Sequence, residues 1–239
     1  MIKTAVILAG GYGRRMKLFE KPKGFLNIAG KPLIEYSIDA LLAHGIEKIV
    51  IGTGFRADFY SRLEKKYSQV VTECNADFAT SGSLVTFLRL ADHISEDFLL
   101  LESDLLYDSS CLTSVLQDTH ENSLLLSQSE NDRDGVFVQI DSGGNLVRMS
   151  KEPRYLTAPE DGILVGITKM SLNTYKEFLK VGAETLKTNY LEHYDFIFEH
   201  LQSKFFLLNV PNLIFTEIDD DVQLEYALNV IYPKLTLGF

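Results

Sequence analysis

The 239-residue chain carries 33 acidic against 23 basic side chains, a formal net charge of -10, which argues against nucleic acid or an anionic membrane surface as its main partner. Hydrophobic residues make up 46% of it, yet no apolar run approaches the roughly 20 residues needed to span a bilayer. The length suits one large α/β domain over residues 1–239 with no Gly/Ser/Pro linker to divide it, a further fused domain being left open. Cys74 and Cys111 are too few and too far apart for a disulfide framework or a zinc site, so a reducing cytoplasm is expected.

Ala5 to Ala9 is a short apolar run bounded by glycines, as in a buried strand of a parallel sheet. It is too brief for the apolar region of a signal peptide. The run breaks into Gly10, Gly11 and Gly13. Such a loop brings bare N–H groups close to a ligand, which a phosphate chain requires. Arg14, Arg15, Lys17, Lys21 and Lys23 follow at once, and five cations within ten residues of an acidic chain point to a polyanionic ligand. Because Gly-x-Gly also makes ordinary tight turns, the context must discriminate. A dinucleotide fingerprint needs glycine where Met16 stands, and a Walker-type loop needs Gly-Lys-Ser/Thr, which does not occur.

Leu8, Ala9, Gly10, Gly11, Gly13, Arg15, Met16, Pro22 and Lys23 resemble the signature of the sugar-nucleotidyltransferase superfamily: a strand, Leu-Ala-Ala/Gly-Gly-x-Gly-x-Arg-Met, then Pro-Lys after a spacer. Arg14 departs from it, standing where Ser or Thr is common. Within the superfamily the chain looks most like the small bacterial cytidylyltransferases that activate 2-aminoethylphosphonate or phosphocholine, and nearer the first. This resemblance implies a Mg²⁺-dependent transfer of CMP from CTP. It puts Leu8, Ala9 and the loop glycines on the nucleotide and Arg15 on the β and γ phosphates. Lys23 would meet the charge that develops at the α-phosphorus.

Further along, Leu33, Ile34, Ile38, Leu41 and Leu42 share a helical face that Gly45 closes. Lys48 to Thr53 reads as a strand, Phe59, Leu63 and Tyr67 as one face of a helix, and Gln69 to Thr72 as the next strand. Strands alternating with helices predict the doubly wound α/β class, with a mostly parallel sheet covered on both faces. Thr80 to Ser83 opens a helix that buries Leu84, Phe87, Leu88 and Ala91, and at least one hydroxyl is expected to cap it. The resemblance sets the nucleobase against this segment, making Asn75, Ser81 and Gly82 candidates. Asp97 to Leu101 is a strand that ends in Glu102, Ser103 and Asp104. Functional groups of open α/β sheets gather at strand carboxyl ends, whereas a strand-end Asp also caps helices. The resemblance favours a metal role for Asp104, with Ser103 on the nucleotide.

Gly135 to Ile140 and Leu146 to Ser150 alternate around Asp141-Ser142-Gly143-Gly144-Asn145 and predict a hairpin at one side of the sheet or in a small lobe. Lys151 after it would ordinarily be solvated; the resemblance implies contact with the acceptor's phosphate. A strand at Ile163 to Thr168 and a helix at Leu172 to Val181 come next. Tyr190 to Leu201 then predicts an aromatic-rich helix with Leu191, Tyr194, Ile197, Phe198 and Leu201 in the core and Glu192 and Asp195 towards solvent. Tyr194 and Asp195 also match the region where the phosphocholine relatives hold their amine. The last strands, Phe205 to Val210 and Leu213 to Thr216, lead to Glu217-Ile218-Asp219-Asp220-Asp221 and a helix burying Leu224, Ala227, Leu228 and Ile231. A helix dipole accounts for one or two of these acids. Glu-Ile-Asp is also the superfamily's late signature, which makes Asp219 the second metal ligand and Asp221 a reserve.

An acceptor phosphate or phosphonate oxygen is largely ionised near neutral pH, a phosphate second pKa being about 6. No general base is then required, in keeping with five histidines that form no cluster in the sequence. A quaternary ammonium is best held by an aromatic cage with tryptophan, of which the chain has none. A primary ammonium prefers carboxylates and hydroxyls, which leans towards 2-aminoethylphosphonate, while cages built from tyrosine keep phosphocholine open. The reading from another class is a non-catalytic nucleotide-binding regulatory module, disfavoured by Lys23, Asp104 and Asp219. Oligomeric state and the choice between CTP and UTP are not legible.

Overall fold

The computed structural model describes residues 2–16, 20–127 and 135–236; Lys17 and the Arg14 side chain lie outside that description. Strand β1 (Thr4–Ala9) is buried along its whole length. Its side chains feed opposite cores, Ala5, Ile7 and Ala9 on one face and Val6 and Leu8 on the other. A strand covered on both faces favours apolar side chains along its length, which is why Ala5 to Ala9 lacks polar alternation, while the buried Thr4 hydroxyl at its start donates to Glu96 Oε1.

A small ladder of β2 (Asn27–Ile28) and β3 (Lys31–Pro32) leads into the helix Leu33–Ala43. Strands β4 (Lys48–Thr53) and β5 (Val70–Cys74) then stack parallel outward from β1. Strand β6 (Phe98–Glu102) lies parallel on the opposite side of β1. The strand order therefore reverses between β1 and β6, the kind of switch point outside whose carboxyl ends ligands bind.

The chain goes on through β7 (Leu105–Tyr107), β8 (Ser123–Ser127), β9 (Phe137–Ile140), β10 (Leu146–Ser150), β11 (Gly162–Met170), β12 (Phe206–Asn209) and β13 (Phe215–Glu217). Strand β11 runs antiparallel to β6, β8 and β9, and the hairpin β9–β10 extends the sheet at that edge. With β12 parallel to β8, nine strands form one mixed sheet among the described residues. No helix of the described residues is long and apolar enough to cross a membrane.

Outside this sheet, β13 pairs antiparallel with β7, Glu217 opposite Leu105, and the Ile218 N–H donates to the Asp104 carbonyl at 2.9 Å. That short ladder carries the late acidic segment to the end of β6. A third core, including Met16, Leu33, Leu106, Ile218 and Ile231, packs the C-terminal helix, with its π turn Ala227–Ile231, against the end of the glycine loop.

Four local expectations are corrected. The helix predicted through Phe59 and Tyr67 is two single turns, Ala57–Tyr60 and Leu63–Lys66. No hydroxyl caps the helix Ser83–Leu88, because Gly82 is its N-cap and offers no side chain. The helix predicted over residues 190–201 is a 3₁₀ run confined to Asp195–His200. Finally, Asp195 is buried while Leu191 is 65% exposed, the reverse of their expected places. The polypeptide at 190–194 spends its backbone groups on a distant segment, with Gly82 N–H donating to Tyr190 O at 3.0 Å and Leu84 N–H to Glu192 O at 3.2 Å. Those bonds hold it out of a helix.

Candidate active site

The glycine loop, the end of β6 and the acidic segment after β13 meet in one cleft of about 540 Å³. Leu8, Ala9, Gly10, Gly11, Gly13, Arg15, Lys23, Ser81, Gly82, Ser103, Asp104, Lys151, Tyr194, Asp195 and Asp219 all line it. Asn75 does not. It is buried, its amide donating to Ser81 Oγ and Thr86 Oγ1 at 3.0 Å each while its Oδ1 accepts from the Asp77 N–H. Its three side-chain bonds are thus spent on shaping the turn that presents Ser81.

At the centre, Lys23 Nζ lies 2.7 Å from Asp104 Oδ2 and also pairs with Asp219 Oδ1, whose other oxygen takes Arg15. Burial alone would lower the Lys23 pKa, but Asp104 and Asp219 outweigh it and hold the ammonium above its usual range. Burial likewise works against ionised Asp219, and Lys23 with Arg15 overcomes it, so this carboxyl sits below the usual range. Asp104 does not cap the helix Ser109–Gln117; Asp108 does.

Sequence reasoning did not single out Glu102 and Glu217. Ligand oxygens of Glu102, Asp104 and Glu217 all lie within 4.8 Å of one another, and Asp104 Oδ1 is buried without a hydrogen-bond partner. Burial, then the Asp104 and Asp195 charges, pushes Glu102 up to about 8, and burial with Asp104 raises Glu217 well above its ordinary value. An all-oxygen donor set with an unsatisfied carboxylate oxygen suits a hard divalent cation such as magnesium. Asp219 borders this group but is engaged by Lys23 and Arg15. The available signal was nearness in sequence, since Glu102 ends β6 two residues before Asp104 and Glu217 ends β13 two residues before Asp219.

Tyr12 and Phe78 also line the cleft, their ring centroids 5.1 Å apart, with Phe55 4.9 Å from Tyr12. Lys151 is exposed, while Tyr194 is buried with its hydroxyl donating to Glu102 Oε1 at 2.9 Å. Asp195 is 5% exposed, and its Oδ2 has no partner. Burial raises its pKa against the pull of His193 and Lys151.

The model of the MobA-like NTP transferase domain matches residues 5–169, well over half of the chain. This protein belongs to that family. The matched stretch of the NTP transferase domain supplies Lys23 and Asp104; Tyr194, Asp195, Glu217 and Asp219 come from beyond it. Among curated relatives, the UTP–glucose-1-phosphate uridylyltransferase AglF of Haloferax volcanii is 29% identical over 148 residues, 58% of this chain and 61% of that protein. A 2-aminoethylphosphonate cytidylyltransferase of Lancefieldella rimae is 26% identical over 152 residues, 62% of this chain and 61% of its own. The chain thus spans about three fifths of the length of these two relatives. Among solved structures, the inositol-1-phosphate CTP transferase of T. maritima superposes with a TM-score of 0.83 at 19% identity, covering 99% of this chain and 97% of that one. The CTP:phosphocholine cytidylyltransferase LicC of Streptococcus pneumoniae follows at 0.79 and 16%, covering 96% and 99%. At such identities these two establish the nucleotidyltransferase fold.

Proposed function

We propose that this NTP transferase is a magnesium-dependent cytidylyltransferase that joins CMP from CTP to 2-aminoethylphosphonate, releasing pyrophosphate. The observation that carries the reading is the convergence of Lys23, Asp104 and Asp219, from opposite ends of the chain, in one cleft beside the glycine loop. The Lancefieldella relative, named for this acceptor, and the two CTP-using structural neighbours support it.

In this reading the N–H groups of the Gly10–Gly13 loop and Arg15 take the β and γ phosphates. Ser81 and Gly82 face the base, with Ser103 beside the nucleotide. Asp104 and Asp219 would hold magnesium, with Glu102 and Glu217 completing the carboxylate cluster that takes it; when bound, the ion would neutralise triphosphate charge. Lys151 approaches the acceptor's phosphonate. One ionised phosphonate oxygen attacks the α-phosphorus, the bond from that phosphorus to the bridging oxygen breaks, and pyrophosphate departs with the electron pair. Lys23 supplies positive charge where negative charge grows on the α-phosphoryl oxygens. Rate then comes from alignment and electrostatics, without a proton transfer from the acceptor.

For the amine, the partnerless Oδ2 of Asp195 supports the reading, because a buried carboxylate oxygen without a donor gains most from an ammonium that brings hydrogen bonds. A quaternary ammonium has no N–H to give. Replacing Asp195 by Asn should therefore raise the KM for 2-aminoethylphosphonate about tenfold, a charge-assisted bond being worth about 1.5–3 kcal/mol, and leave the KM for CTP unchanged. Steady-state kinetics with each substrate varied in turn checks this. The reading as a whole is tested by pyrophosphate release with CTP or UTP against 2-aminoethylphosphonate, phosphocholine, inositol 1-phosphate and glucose 1-phosphate. Release is expected with CTP and 2-aminoethylphosphonate. Binding of CTP with no release from any acceptor would instead identify a non-catalytic nucleotide-binding module.

A further inference from the structure

Resting on the reading of the carboxylate cluster as the metal site, we infer that Tyr194 is a positioning residue. It fixes Glu102 as a working member of that cluster and so joins the acceptor wall to the metal. Glu102 ends β6, in register with Leu8 of β1, and its side chain points into the cleft beside Asp104 and Glu217. A long, flexible side chain there has several rotamers open to it and would not stay beside Asp104 and Glu217 unless something held it. The Tyr194 hydroxyl does so, donating to Oε1 at 2.9 Å. The tyrosine itself has little freedom: it is 2% exposed, its ring sits edge-on to Phe87 and Phe198, and its N–H donates to Ser83 Oγ at 3.2 Å.

The opposite side of Glu102 is shaped as well. Strand β11 changes register between Leu164 and Thr168, and within that irregularity Gly166 has φ +78°. A Cβ at Gly166 would lie 2.9 Å from Glu102 Oε2. A bulge at a sheet position next to an active site re-aims a side chain; here it opens the space that Oε2 occupies. The carboxylate is bonded through one oxygen and given room at the other, which leaves it facing Asp104. Groups that orient metal ligands in this way are typically worth about 10–100-fold in metal affinity.

The test measures metal binding directly, by Mn²⁺ electron paramagnetic resonance on the protein without nucleotide. Tyr194→Phe keeps the ring packing and removes the one donor. It should weaken Mn²⁺ about tenfold or more and raise the metal concentration giving half-maximal rate by a similar factor, with an unchanged circular dichroism spectrum. Glu102→Gln, isosteric and still able to accept from the tyrosine, should lose at least as much. Asp104→Asn tests the underlying site. If it retains wild-type Mn²⁺ affinity, the cluster is not the metal site and the assignment falls with it. If Asp104→Asn loses Mn²⁺ while Tyr194→Phe keeps it and raises only the acceptor's KM, then Tyr194 touches the acceptor and the positioning role is overturned. Should Tyr194→Phe fail to fold, Glu102→Gln decides, and wild-type Mn²⁺ affinity in that variant overturns the inference.

Discussion

Lys23→Met should lower kcat by about a hundredfold or more while making the protein's thermal stability more dependent on magnesium. Two roles of one ammonium produce these opposite trends. In the proposed reaction Lys23 would oppose charge that grows on the α-phosphoryl oxygens, and a preorganised donor in a cleft costs no reorganisation when the reaction occurs. Without nucleotide the same ammonium, together with Arg15, balances Asp104 and Asp219, with only 15% of the lysine side chain exposed. Removing one partner of such a buried pair typically costs about 3–5 kcal/mol, since the charge left behind is uncompensated. In the variant two carboxylates are left without that partner beside Glu102 and Glu217, and a divalent cation can replace the missing charge. The midpoint of thermal unfolding should accordingly rise further with added Mg²⁺ in Lys23→Met than in the wild type. A kcat within tenfold of wild type would place Lys23 away from the reacting phosphorus, whatever the melting curves show.

What the sequence disclosed was mostly local. The β1 run, the glycines after it and the position of Lys23 are decided within about twenty residues, because a strand buried on both faces favours apolar side chains along its length and a phosphate loop must be small. The strand end left Asp104 open between a helix cap and a metal ligand, and the resemblance favoured the metal. Which carboxylates share a space with it depended on the β7–β13 ladder, between segments more than a hundred residues apart, and no local signal announces such a pairing. The stretch 190–201 misled for the same reason. Tyr194, Ile197 and Phe198 are all buried, as helical spacing suggested, but the backbone before them is bonded to residues 82 and 84 rather than to itself. Asn75 ran the other way: the resemblance made it a candidate for a base contact, and the buried turn consumes its side chain.

The seam between residues 82–84 and 190–194 makes a second large effect predictable. Gly82→Ala should destabilise the protein and raise the KM values for both CTP and the acceptor. The backbone at Gly82, φ -83° and ψ 178°, is open to any residue, so the cause is space alone. A Cβ there would run into the carbonyl oxygens of Leu191 and Glu192, well inside van der Waals contact, and both obstacles are main chain that cannot rotate aside. The seam must open, straining the bonds from Gly82 N–H to Tyr190 O and from Leu84 N–H to Glu192 O, as well as that from Tyr194 N–H to Ser83 Oγ. Overpacking of this kind typically costs about 1–3 kcal/mol, or about 2–4 °C in Tm per kcal/mol for a domain of this size. The two sides of the cleft should fail together, because in the proposed reading Ser81 and Gly82 present the base-facing wall and Tyr194 and Asp195 form the acceptor wall. Differential scanning calorimetry with parallel kinetics distinguishes this from direct recognition. A raised KM for CTP with unchanged Tm and unchanged acceptor KM would mean that Gly82 serves the nucleobase alone.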